Sequence, residues 1–243
     1  MSSSFWIIHG ELIFMLKFDV ISVFPNIFKG FLDESLIARG QKKKIIRIKV
    51  HDLRRWAKDR HKTVDDRPFG GGPGMVLKIE PLYRAVQSFK SKFKNQKLKF
   101  RRRIILFSPR GKPFTQKDAK RLARYDQLIL ICGRYEGVDE RVAKHIADEV
   151  FSAGDYVLNG GEVVAMAVIE AVSRMVPGFI AKKESAGKND FPQYTRPEVF
   201  VVKDQKPKTK AKTKTKNWKV PKVLLSGDHK KIADWRRKRF KIS

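Results

Sequence analysis

The chain is poor in cysteine, in acidic residues and in long apolar runs, and each shortage removes a class of protein. A single cysteine, Cys132, in 243 residues excludes an internal disulfide. No Cys or His pair has zinc-ligand spacing, so no metal site is expected, and a reducing, cytoplasmic setting is. Asp and Glu number only 25 against 54 Lys and Arg, a formal net charge of +29 that would repel itself unless it meets a polyanion, and nucleic acid leads that class. The longest apolar stretches, FWIIHGELIFML near the start and VVAMAVIEAVSRMV from Val163, are short for a span and carry His9 with Glu11, or Glu170 with Arg174, so no membrane crossing is expected. MSSS lacks the basic start of a signal peptide. Met15 opens MLKFDVISVF, and residues 1–14 read as an upstream extension. Neither a G-x-x-x-x-G-K-[ST] loop nor a G-x-G-x-x-G turn exists, and GGGPG holds a proline where a helix should open, which argues against nucleoside triphosphates and NAD.

What is present suffices for a core, with 42% hydrophobic residues. Alternation from Lys17 to Phe24 predicts a first strand, stopped by Pro25 and followed by an amphipathic helix near Ile27 to Arg39. IIRIKV from Ile45 predicts a second strand. Residues Asp59 to Met75 have no period of either kind and read as a long functional loop, after which Pro81 opens a helix. RIILFS (strand), PRGKP (turn), a helix from Thr115 to Tyr125, QLILIC (strand), a short helix and IADEVFS follow in turn. Such alternation predicts an α/β fold with a mostly parallel sheet. The helix from Gly161 to Met175 is apolar on nearly every side, which asks for burial against the sheet and a further layer or second subunit. After Pro177 the pattern dissolves. Lys203 to Lys219 is a tract with eight lysines and no apolar face, expected to be disordered when unbound, and Asp228 starts a last helix carrying Ile232, Trp235 and a basic tail.

Glycine concentrates in loops. RPFGGGPGM (Arg67 to Met75), CGRYEGVDER (Cys132 to Arg141) and GDYVLNGGE (Gly154 to Glu162) are too glycine-rich for helix or central strand. The turns SPRG, CGRYEG and SAGDYVLNGG end successive strands, where α/β folds build ligand sites, and a flat adenine with its ribose would fit between them. Taken one at a time, each glycine is equally explained as closing a tight turn.

Together and in this order, DRHKTVDDRPFGGGPGM, LILICGRYEGVDERV, GDYVLNGGE and YTRPEV resemble the bacterial tRNA (guanosine-37-N1)-methyltransferase family, in the SPOUT class of S-adenosylmethionine-dependent RNA methyltransferases. The similarity runs from about Met15 to Val199 and resumes from Val220 to Trp235. It implies a mostly parallel sheet with helices on both faces, a deep C-terminal trefoil knot and a small helical C-terminal domain. It implies a homodimer acting on the tRNA anticodon stem-loop, with S-adenosylmethionine held by Pro109, Gly133, Glu136, Ala153, Gly154, Asp155, Tyr156, Val157 and Leu158. Asp65, Arg67 and Tyr135 correspond to substrate-binding positions, with Asp66 and His61 in the same loop as Asp65. Arg174, in SRMVPG, corresponds to the arginine that stabilises charge on the guanine O6; its other reading is a cation at a helix C-terminus.

The base in this family is an aspartate before YTRPE. The corresponding loop, FIAKKESAGKNDFPQ, is shortened and holds only Glu184 and Asp190; Asp190 is the choice, with a turn residue beside Pro192 as its other reading. Arg54, Arg55, Arg101 to Arg103 and Arg236 to Arg239 are candidate phosphate contacts. The resemblance divides the chain into an extension (1–14), a methyltransferase domain (15–178), a linker with the lysine tract (179–219) and a short RNA-binding helical domain (220–243). A Mg2+ requirement is left open. Competing readings are a SPOUT enzyme acting on ribose 2′-oxygen or ribosomal RNA, and a basic RNA-binding protein without catalysis.

Overall fold

The computed structural model describes residues 5–8, 11–91, 100–181, 191–202 and 216–239. It divides into two units, Met1–Ala186 and Gly187–Ser243. In the first, a hairpin of β1 (Phe5–Ile8) and β2 (Glu11–Phe14) precedes a five-stranded sheet. The sheet contains β3 (Leu16–Ser22), β4 (Ile46–Asp52), β7 (Arg102–Pro113), β8 (Gln127–Cys132) and β9 (Glu149–Ser152), in the order β4-β3-β8-β7-β9 with every pair parallel. The expected parallel sheet is therefore found. β8 is buried at all six positions, as a central parallel strand with both faces covered must be.

Strand alternation sends two sets of side chains into two cores. Leu16, Phe18, Val20, Leu128 and Leu130 pack with Phe28, Ile37 of α2 (Ser35–Lys42), Leu122 of α4 (Gln116–Leu122) and Val168 of α6 (Glu162–Ser173). Ile21, Ile104, Leu106, Ile129 and Ile131 pack with Leu82, Val86 and Phe89 of α3 (Ile79–Ser91) and Val142 of α5 (Glu140–His145). Helices thus cover both faces. α3 starts at Ile79, two residues before the expected Pro81, and Thr115 caps α4 through a reciprocal box with Asp118.

Two expectations change. The helix expected from Ile27 to Arg39 is a 3-10 turn (Pro25–Phe28), α1 (Lys29–Asp33) and α2, broken where Glu34 is extended and Ser35 takes φ 56°. The break lets Phe28 and Ile37 enter the same core. PRGKP, expected as a turn, belongs to β7: the strand pairs with β9 up to Phe107, bulges, and resumes at Lys112, so that Phe107 and Lys112 both face Phe151. Gly111 permits this, because a Cβ there would lie 2.6 Å from the Phe151 carbonyl carbon.

The long loop 59–75 is held by β5 (Asp65–Asp66) pairing with β6 (Val76–Leu77) and by the Lys78 N–H donating to Val64 C=O at 2.8 Å. In the second unit, β10 (Val199–Val202) and β11 (Lys216–Lys219) form an antiparallel ribbon, followed by α7 (Lys222–Leu225) and α8 (His229–Lys238), the latter capped by Asp228. The last four residues of the lysine tract are therefore a strand; residues 203–215 lie outside the described set.

Candidate active site

The bulge of β7, the turn after β8 and the loop after β9 meet at one end of the sheet and enclose a cleft of about 600 Å³. Pro109 comes from the first, Gly133, Tyr135 and Glu136 from the second, and Ala153, Tyr156, Val157 and Leu158 from the third, all lining it. Gly154 and Asp155 belong to the same third loop but not to the wall. Leu106, Phe107 and Val164 give it an apolar base.

The loops are held by backbone. Gly161 N–H donates to Gly133 C=O at 2.9 Å, and its Cα sits so close that a Cβ would lie 2.9 Å from the Cys132 Cα. Glu136 N–H donates to Met75 C=O at 3.0 Å and Leu77 N–H to Gly137 C=O at 3.0 Å, which lays the glycine-rich loop against the β8 turn. Asp65 and Arg67 are carried on that neighbouring loop and do not line the cleft. Tyr135 is held at φ 59°, a left-handed backbone that a non-glycine residue adopts at a cost, and such strain concentrates at functional sites.

Sequence reasoning missed the polar anchor behind these loops. Glu162, 1% exposed at the first turn of α6, accepts from Ser22 Oγ at 2.7 Å and from Arg134 Nε at 2.9 Å. Arg134 also donates to Asn159 C=O at 3.3 Å and lies over the Phe24 ring, 4.7 Å from its centroid. One guanidinium therefore ties the ends of β3 and β8 to the loop after β9. The signal available in sequence was only an acidic residue at a helix start, which is common.

The charges around the cleft balance in a particular way. Arg134 is neutralised by Glu162, and Arg110 pairs with Glu140. Glu136, also on the wall, has no ion-pair partner among the described residues. Counting the buried Glu162 behind the wall, the cleft of this chain of net charge +29 has three carboxylates, Glu136, Glu140 and Glu162, to two guanidiniums, Arg110 and Arg134. Burial pushes the Cys132 thiol well above the ordinary range, and the Glu162 carboxylate adds to it, so this cysteine is a packing residue.

Arg174 caps the C-terminus of α6, and Gly161, on the cleft wall, caps its N-terminus. Twelve helical residues span about 18 Å, so Arg174 stands away from the cleft of its own chain. Asp190 and Glu184 lie outside the described residues. Several arginines expected at phosphates also have intramolecular partners: Arg54 donates to Val23 C=O at 2.6 Å, Arg102 to Gln127 Oε1 at 2.7 Å and Arg103 to Glu149 Oε1 at 2.8 Å. In the second unit Arg237 pairs with Asp234 and Arg239 lies over Trp235. No helix among the described residues is long and apolar enough to cross a membrane.

An α/β chain with a cleft built by the bulge of one parallel strand and the turns that end its two neighbours defines a ligand-binding enzyme scaffold. The family model described as "tRNA (Guanine-1)-methyltransferase TrmD" matches residues 16–242, and the chain belongs to this family. A tRNA (guanine-N(1)-)-methyltransferase of Citrifermentans bemidjiense is 44% identical over 230 residues, covering 92% of this chain and 84% of that protein. Proteins of the same name from Endomicrobium trichonymphae and Thermomicrobium roseum are 45% and 44% identical, over 92% and 78% of their lengths.

Proposed function

We propose that this protein methylates N1 of guanosine 37, beside the anticodon of tRNA, with S-adenosylmethionine as donor, in the cytoplasm. The observation that carries this reading is the cleft: a bulge and two turns from three parallel strands converge on it, and its paired arginines leave Glu136 as the odd charge. The residues present fit the donor. Backbone and small residues at Gly133, Ala153 and Gly161 leave room for a flat purine, and the excess carboxylate favours a cation.

Bound there, S-adenosylmethionine supplies a methyl group already activated by its sulfonium. What remains for the protein is to orient the guanine and remove its N1 proton. In this reading Asp190 takes the proton and Arg174 stabilises the charge that moves to O6. Asp65, Arg67 and Tyr135 hold the substrate, and Pro109, Gly133, Glu136 and residues 153–158 hold the donor.

The distance of Arg174 from its own cleft supports a homodimer in which that residue serves the other copy's site. A trefoil knot is part of the proposal. The Gly161-to-Gly133 hydrogen bond supports it, since the chain leaves β9 on one side of β7 and returns against β8 on the other. The lysine tract and the short C-terminal unit are read as tRNA contacts.

The test is nucleoside mass analysis after incubation of tRNA transcripts with labelled donor, using guanosine or adenosine at position 37 and varied 5′ neighbours. N1-methylguanosine is expected only from the guanosine-37 transcripts. Label on ribose, or on another base, overturns the assignment.

A further inference from the structure

The β10–β11 ribbon leaves its large side chains in solvent. Val199, Phe200, Val201 and Trp218 are 38%, 52%, 47% and 63% exposed, and a two-stranded ribbon alone is marginal in water. Strand register decides which of them act together. Phe200 faces Trp218, with ring centroids 5.7 Å apart and planes tilted by 33°, and Lys216, two residues along β11, shares that face. Lys219 lies on the opposite face beside Val199. The ribbon itself has no acidic residue; Glu198, just before it, is the nearest in sequence.

We propose that the Phe200–Trp218 face is an RNA-stacking surface, taking an unpaired base of the RNA substrate against Trp218 and its phosphate at Lys216. The proposal rests on the reading of tRNA as substrate. Exposed aromatics interleaved with lysine suit nucleic acid, because every base offers a π-face and every nucleotide a negative charge. A second copy of the chain suits the face less well, since lysine is depleted from protein interfaces and here occupies both faces of the ribbon. The surface would add affinity without touching the chemistry.

The experiment uses the full chain and measures tRNA affinity by filter binding over a salt series, with methyl-transfer kinetics and donor calorimetry alongside. Trp218→Leu, which keeps apolar bulk but loses the π-face, should weaken tRNA binding about fivefold or more. KM for tRNA should rise with kcat and donor affinity unchanged. Trp218→Phe should restore most of the loss, and Lys216→Gln should flatten the salt slope by about 1. The proposal is overturned if Trp218→Leu binds tRNA within twofold of wild type, or if Trp218→Phe is as weak as Trp218→Leu, which would mean packing and not stacking. Sedimentation decides the alternative occupant: loss of self-association at unchanged tRNA affinity assigns the face to a second copy. Failure of the wild type to methylate tRNA would sink the functional reading alone, because the ribbon is judged by binding.

Discussion

Arg134 Nε donates to Glu162 Oε2 at 2.9 Å, behind a cleft wall where Glu162 is 1% exposed. The pair holds two loops in place and also neutralises a positive charge beside the cleft proposed to take the donor. Both effects can be separated. Glu162→Gln keeps an acceptor for Arg134 but uncovers its charge. We expect the affinity for S-adenosylmethionine to fall about tenfold, and the affinity for the neutral thioether S-adenosylhomocysteine to fall clearly less. Calorimetry with both ligands checks this; equal losses would mean that the pair is only a brace.

Gly161→Ala places a Cβ 2.9 Å from the Cys132 Cα and 3.1 Å from the Gly133 nitrogen, both backbone atoms that cannot swing aside. The φ of Gly161 is −78°, so the effect is steric and not conformational. We expect about 2 kcal/mol of destabilisation, read by chemical denaturation, and loss of donor binding as the β8 turn is pushed out of position.

Glu149 ties β9 to β7 and α4. Burial pushes its carboxyl up, but hydrogen bonds from Arg121, Arg103 and Lys112 outweigh this and bring it down to about 2, from an ordinary 4.5. A folded value below the unfolded one means that the network contributes in full above about pH 4.5 and loses its contribution as pH falls towards 2. With half-exposed partners allowed for, the effect is on the order of 2 kcal/mol. Urea titrations at pH 7 and pH 3 should show wild type losing more stability than Glu149→Gln.

Cys132 is buried at the end of β8 with its thiol held protonated by burial, so alkylating reagents at pH 8 should leave the native protein unmodified and react fully once it is unfolded. Rapid native modification, followed by intact mass, would show that the β8 turn opens.

For the base, Asp190→Asn should lower kcat by about 10² to 10⁴ with donor affinity unchanged, and Glu184→Gln should stay near wild type. The reverse pattern in single-turnover methyl transfer would move the role to Glu184.

Much of the architecture could be read from local pattern. QLILIC reads as a strand, Pro81 and Thr115 lie at helix starts, and CGRYEG and SAGDYVLNGG follow strand ends as expected. PRGKP was misread because a bulge with glycine and proline looks like a turn until its partner strand is known. The break at Ser35 was invisible for a related reason: it is set by which of Phe28 and Ile37 must reach the core, and not by the residues at the break.

The amino-acid sequence alone determined the class of secondary structure, the excess of positive charge and the glycine-rich loops that line the cleft, because periodicity, charge and glycine act over a few residues. Tertiary structure alone decided that Ser22, Arg134 and Glu162 would meet, with Ser22 and Glu162 separated by 140 positions. It also decided that Arg174 would stand at the far end of α6 from the cleft. Such pairings depend on strand order, which no local pattern encodes: β3 lies beside β8 only after more than 100 residues of chain have been threaded around the sheet.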